Sequence, residues 1–258
     1  MRDVAALGLA AILAMMVLVW IASLIKKNAG IIDAFWGLGF VVLAWLYLVV
    51  SESDAPRPRL VAGLVTLWGV RLSAHLARRN FGKDEDYRYR EMREKSPGTF
   101  PLKSLFTVFL LQAAILWIVS FPLLQAIHAP LPARLTPLDW AGSVLFSIGL
   151  FFEAVGDWQL GRFRSDPASR GKVLDDGLWR YTRHPNYFGD ALVWWGFFLF
   201  AVATPRSTWT VVSPVLMTFL LMKVSGVVLL EKKLGETRPA YKDYARRTSA
   251  FFPFPPKP

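Results

Sequence analysis

Apolar residues in this chain come in long unbroken runs, not in the strict alternation of strands or the one-sided stripe of a soluble helix. Residues 4–25, VAALGLAAILAMMVLVWIASLI, carry no charge at all. An α-helix needs about 20 such residues to cross a bilayer. Similar runs follow at roughly 30–50, 59–77, 102–127, 138–158, 187–204 and 208–230. Short links separate most of them: KKN, SESDAPRPR, HAPLPARLTP and TPRS. Two longer polar loops, 78–101 and 159–186, and a polar tail, 231–258, complete the chain. The pattern predicts an all-α integral membrane protein with about seven transmembrane helices and no internal repeat. The first run lacks a short apolar core with an A-x-A cleavage site, so it reads as a retained helix.

Composition agrees, with 54% hydrophobic and only 19% charged residues in 258. There is no cysteine, which removes disulfides, thiolate nucleophiles, iron–sulfur clusters and Cys-based zinc sites. With only three histidines, no metal centre is expected. The net charge of +11 would suit nucleic acid, but its distribution points to topology. Loops 26–29, 78–101 and 159–186 and the tail hold 22 Lys and Arg, whereas the opposite side holds five: Arg2, Arg57, Arg59, Arg134 and Arg206. By the positive-inside rule the N-terminus lies outside and the C-terminus in the cytoplasm. Membrane lipids and a lipophilic small molecule are the expected partners, nucleic acid is not, and a monomer is expected. The short loops and absence of sorting signals lean towards a bacterial inner membrane.

Ionisable residues inside spans are costly and tend to be functional. Here they are Asp33, Arg71, His75, Lys103, Glu153, Asp157, Asp190 and Lys223, nearly all close to one end of their helices. Arg71 and His75, Glu153 and Asp157, and Asn186 and Asp190 are each four residues apart, hence on one helical face. The loop 159–186 then adds Arg162, Arg164, Arg170, Lys172, Arg180 and Arg183, interleaved with glycines and turn residues. Guanidinium forks grip phosphate, and Pro185 suits the first turn of a helix whose N-terminus favours an anion. Tyr181 and Tyr187 offer rings to a base, while His184, Asn186 and Asp190 offer directional donors and acceptors. These residues read as a cytosol-facing pocket for a phosphorylated nucleotide. Tyr241, Tyr244, Arg246 and Arg247 of the tail either close over the same ligand or lie on the membrane as a basic amphipathic segment. In loop 78–101, Tyr87 and Tyr89 are candidate proton donors or ring stacks. There is no GxGxxG, so a Rossmann site is excluded.

The stretch GLWRYTRHPNYFGD (177–190) resembles the steroid 5α-reductase superfamily, specifically its DUF1295 branch. IIDAFWGLGF (31–40), LWGVRLSAHLARRN (67–80), EDYRYREMR (85–93) and YKDYARRTSAFFPF (241–254) fit the same branch. The resemblance implies a seven-span reductase that takes NADPH from the cytosol and reduces an activated C=C bond of a lipophilic substrate. On it, residues 1–101 form the substrate side and 102–258 carry the cofactor motif. It implies that Asp157, Arg164, Asn186 and Asp190 contact the nucleotide, with Glu153, Arg162, Lys172, Tyr181, Arg183, His184, Tyr187, Tyr241, Tyr244 and Arg247 around them. Asp33 falls where steroid reductases carry a second-span glutamate facing the substrate carbonyl. Their third-span tyrosine has no counterpart in GVRLSAHL, so Arg71, His75, Tyr87 or Tyr89 would take its role. The competing expectation is a methyltransferase of the isoprenylcysteine or phospholipid type. Such enzymes carry a related RHPxYxG pattern and use S-adenosylmethionine, which has no phosphate for six basic loop residues to hold.

Overall fold

The computed structural model describes residues 1–51, 53–80, 82–224, 231 and 240–257. Among the described residues the protein is all-helical, and the one β-type contact is an isolated bridge between Thr182 and Ser249. Five helices are long and apolar enough to span a membrane: α1 (Arg2–Lys26), α2 (Ile32–Ser51, preceded by a tight turn from Ala29), α3 (Pro56–Asn80), α5 (Phe100–Val119) and α7 (Pro137–Ser165). The short α4 (Tyr87–Glu94) and α6 (Phe121–His128) flank α5. Two further helices stand at the sixth and seventh apolar runs. The first, α8 (Pro185–Val202), is diluted by the polar first turns of PNYFGD. The second, α9 (Thr208–Val224), is shorter. The seventh run extends to residues 225–230, which lie outside the described residues, as do residues 232–239 of the tail. A last short helix, α10 (Tyr241–Arg247), follows.

Local sequence sets these boundaries. Lys27 closes α1 in the left-handed region at φ 51°, and the Asn28 side chain accepts the Gly30 N–H at 2.8 Å to start the next turn. Asp86 caps α4 by accepting the Arg88 N–H at 3.0 Å. The run expected at 102–127 breaks at Ser120, because Pro122 cannot continue the α5 ladder and instead begins α6.

The chain forms two compact units, residues 1–136 with 200–210, and residues 137–199 with 211–258. The first unit therefore takes in the fourth apolar run, which the division at residue 101 grouped with the C-terminal half. Its centre is the α2–α3 pair. Gly37 and Gly69 face each other so closely that a Cβ on either would press into the other's backbone carbonyl. Phe40 packs on Trp68 at 5.7 Å beside them. In the second unit α7 meets α8 along a ladder of glycines. A Cβ on Gly149 would lie 2.6 Å from the Gly189 carbonyl oxygen, and one on Gly196 2.9 Å from the Gly142 oxygen. Gly156 faces the Asn186 N–H at 3.1 Å in the same sense. Small residues at such crossings let backbones approach, which lipid-embedded helices use because apolar burial does not drive their association.

Candidate functional site

Each unit carries a polar cluster at the basic end of its helices. In the first, Asp33 sits one turn before Gly37 on α2. The Tyr89 hydroxyl donates to its Oδ1 at 3.0 Å, and Arg88 Nη2 reaches Oδ2 at 3.4 Å. Gln112 Nε2 approaches the Tyr89 oxygen from α5 at 3.5 Å. Arg88 also grips Asp86, through Nε at 2.9 Å. Glu85 fastens the loop from the other side. It accepts the Ala29 N–H at 2.7 Å and a fork from Arg93 at 2.8 and 2.9 Å. Burial pushes the Glu85 carboxyl up, but these hydrogen bonds win and hold it below its ordinary value. Burial also pushes the Tyr89 phenol up, and the neighbouring Asp33 carboxylate pushes the same way, so Tyr89 keeps its proton at any physiological pH.

The residue that meets Asp33 from the loop is thus Tyr89, with Arg88 beside it; Tyr87 lies half-buried at the start of α4. The sequence reading assigned Arg88 no role. The signal for it was present: Asp86 is an N-cap, which makes YRYR a helix rather than a strand and aims neighbouring residues towards one side. Arg71 and His75 share a face of α3, as the spacing requires. Ser73 lies between them and accepts the Leu38 N–H of α2 at 3.0 Å. Each is two residues from Ser73, about 200° around a helix, so both belong to the side of α3 turned from α2.

In the second unit the buried face of α7 is one stripe, Gly142, Phe146, Gly149, Glu153, Gly156 and Asp157. At about 100° per residue Arg164, in the last turn of α7, lies on the same side of the helix. Glu153 and Asp157 are only 3% and 7% exposed. Asn186, in the first turn of α8, donates from Nδ2 to Asp157 Oδ1 at 3.0 Å, and its Oδ1 accepts the Tyr187 N–H at 3.1 Å. Asp190 follows one turn on, half-buried. Arg162, Arg164 and Lys172 are exposed, with Arg162 lying 5.8 Å from the centre of the Trp158 ring.

The residues just before Asn186 have another duty. Arg183 Nε donates to Glu231 at 2.8 Å, and its Nη1 donates to the carbonyls of Ala245 and Thr248 at the end of α10. His184 Nε2 lies 3.2 Å from the same Glu231 oxygen, and its ring stacks on Tyr187 at 5.4 Å. Thr182 Oγ1 donates to the Phe251 carbonyl at 2.8 Å, and the Tyr181 carbonyl accepts the Phe254 N–H at 3.0 Å. Tyr244 donates to the Trp179 carbonyl, and Tyr241 packs edge-on against Tyr244 at 5.8 Å. Arg183, His184 and Tyr244, read in the sequence as ligand contacts, therefore fasten the tail to the motif. A buried guanidinium satisfies its donors with whatever oxygens are nearest, and here those are carbonyls of the chain. Glu231 was missed because it follows the last apolar run and nothing local marks its partner 47 residues earlier. Arg247 lines a separate cleft with Asp175, Asp176 and Arg180.

The helical fold with apolar helices long enough to span a membrane agrees with the class of steroid 5α-reductase-like membrane proteins. The chain belongs to the DUF1295 family of that class, described as a protein of unknown function, whose pattern matches residues 19–248. It is also 28% identical over 270 residues to an uncharacterized protein of Schizosaccharomyces pombe, covering 91% of this chain and 75% of the relative. No solved structure matches it.

Proposed function

We propose that the protein is a membrane-embedded, NADPH-dependent reductase of an activated C=C bond, an enone or enoyl group, in a lipophilic substrate. The observation that carries this reading is the hydrogen bond from the half-buried Asn186 to the buried Asp157, where α7 and α8 are pressed together by glycine. Desolvating a carboxylate at the polar end of two apolar helices costs free energy, so such residues tend to be kept for function. Their chemistry suits a nucleotide: acceptors in Asp157 and Glu153 for ribose hydroxyls, the Asn186 amide for a directional contact, and the exposed Arg162 and Arg164 for phosphates. Lys172 and Asp190 complete that set. When bound, the reduced nicotinamide supplies hydride. In the first unit, Asp33, Arg88 and Tyr89 stand in for the tyrosine that the third span lacks. Tyr89, protonated throughout the working range, offers a hydrogen bond to a substrate carbonyl oxygen as negative charge grows on it. Arg88 keeps Asp33 compensated meanwhile. The excess of Lys and Arg in loops 26–29, 78–101 and 159–186 and in the tail supports the rest of the reading: seven spans, the N-terminus outside, and the collar on the cytoplasmic side where the cofactor arrives.

The test is thermal unfolding of the detergent-purified protein with NADPH, NADH or S-adenosylmethionine. A ligand that binds the folded state at 100 times its Kd adds about 2.7 kcal/mol of stability. Stabilisation by NADPH that Arg164→Ala and Asn186→Ala abolish supports the reading. Stabilisation by S-adenosylmethionine alone overturns it in favour of a methyltransferase.

A further inference from the structure

A cleft of about 510 Å³ opens between the turn 175–180 and the tail, lined by Asp175, Asp176, Arg180, Arg247 and Lys257. Its walls are fixed. Gln159 of α7 accepts the Leu178 N–H at 3.1 Å and fills the space beside Gly177, which sits at φ +55°. Tyr244 ties the tail to the Trp179 carbonyl, and the Lys257 N–H donates to the Arg247 carbonyl at 2.9 Å. The charges are not matched to one another. Arg247 and Asp175 are 4.0 Å apart and both more than half exposed, too far and too wet for a strong pair.

Exposed aromatic residues neighbour the lining residues Arg180, Pro256 and Lys257 along the chain. Phe252, Phe254 and Tyr181 are 56%, 60% and 43% exposed. Prolines at 253, 255 and 256 hold that end of the tail extended, and it is hydrogen-bonded to the motif through Tyr181. Trp158, 60% exposed with Arg162 5.8 Å from its ring centre, ends the fifth apolar run next to the Gln159 that pins the turn, and Trp is a residue enriched at membrane interfaces. Exposed phenylalanines in a tail segment that leads into the basic cleft suit a headgroup layer better than water.

We propose that this cleft binds the headgroup of a zwitterionic phospholipid of the protein's own bilayer, a phosphodiester bearing a primary ammonium. Arg180, Arg247 and Lys257 take the phosphate, Asp175 and Asp176 take the ammonium, and Phe252 and Phe254 enter the acyl boundary beside it. Three cations alone would favour an anionic lipid; the two carboxylates in the same walls select for the ammonium.

The experiment is thermal unfolding of delipidated protein in mild detergent, titrated with short-chain phosphatidylethanolamine, phosphatidylcholine and phosphatidylglycerol, and with O-phosphoethanolamine. Phosphatidylethanolamine is expected to bind about tenfold tighter than the other two lipids, since each tenfold corresponds to one well-made polar contact. Lys257→Gln, at an exposed position near the end of the chain, should remove most of that affinity. Asp175→Asn with Asp176→Asn should erase the preference over phosphatidylcholine. Equal shifts with all three lipids, or none, overturn the proposal. A full effect from O-phosphoethanolamine overturns the lipid as its source. An NADPH shift abolished by Lys257→Gln also overturns it, by making the cleft part of the nucleotide site.

Discussion

The two polar clusters are built on different plans. Around Asp33, a short segment of the chain is laid across the helix start. Arg88 and Tyr89 are neighbours on one small helix, and Glu85 ties the segment down a few residues earlier. Around Asp157 the polar groups form two layers. Asn186 stands with the buried Asp157 of α7, while Thr182, Arg183 and His184 turn to the tail and Glu231. In the sequence RYTRHPNY, then, consecutive residues do different work, and the type of residue does not reveal which. An arginine is equally good at holding a phosphate and at capping three carbonyl or carboxylate groups of its own chain.

The helix contacts beneath the clusters differ as well. One glycine pair joins α2 to α3, whereas α7 and α8 touch at three successive levels. Breaking the ladder should have the largest effect of any single change. Gly149→Leu drives a side chain into the Gly189 carbonyl and the Val193 N–H, which are backbone and cannot swing aside. Overpacking typically costs about 1–3 kcal/mol, and this site has no room to relax, so the upper end or beyond is expected. Detergent-solubilised yield and thermal unfolding read it out. Gly63→Ala is the contrast. Nothing lies near that position, and an exposed helical glycine replaced by alanine gains about 0.5–1 kcal/mol. If both variants unfold alike, close packing is not what the ladder does.

A smaller effect separates the clusters by function. Asn186→Ala leaves the buried Asp157 carboxylate one hydrogen bond short, which costs about 1–3 kcal/mol, and it should remove NADPH stabilisation. Tyr89→Phe keeps the ring in place and deletes one hydroxyl, at about 1 kcal/mol, and should leave nucleotide stabilisation untouched while lowering turnover. The paired measurement is ligand-dependent unfolding against rate for both variants. Loss of nucleotide stabilisation in Tyr89→Phe would erase the division of labour proposed for the two units.

Much of this was legible beforehand. Apolar run length marked the spans, and the placement of Asp33, Asp157 and Asn186 near one end marked the polar collar. The glycine ladder was legible too but unread, since Gly142, Gly149 and Gly156 recur every seven residues, as do Gly189 and Gly196. The pairing of Arg183 and His184 with Glu231 was not legible. Periodicity reports which residues share a face of one helix, and says nothing of where a tail returns. The same limit separates Arg71 and His75, correctly placed on one face, from the knowledge that Ser73 holds the side towards α2.

The finest test sets two glutamates against each other, since each unit closes with one. Glu85 ties loop to helix start, and Glu231 ties tail to motif. For Glu231, burial pushes its carboxyl up, but the hydrogen bond from His184 and the Arg183 charge outweigh it, leaving its value lowered. A lowered folded value means the carboxylate stabilises the fold above the ordinary glutamate range, roughly pH 4.3, and that this contribution fades as pH falls through the folded value. The Glu231 side chain is 25% exposed and the Glu85 side chain 10%, so solvent screens the Glu231 effect more. The tail should nonetheless loosen in acid, seen as faster proteolysis after residue 240 as pH drops from 7 to 4. Glu231→Gln should start loose at pH 7 and lose most of that pH dependence, whereas Glu85→Gln should leave the tail's profile unchanged and flatten the loop's instead. Subtracting the variant profile from the parent cancels every other acid that titrates in the window. If Glu85→Gln loosens the tail as much as Glu231→Gln does, the two clusters are one cooperative structure, and the contrast between their building plans has no energetic meaning.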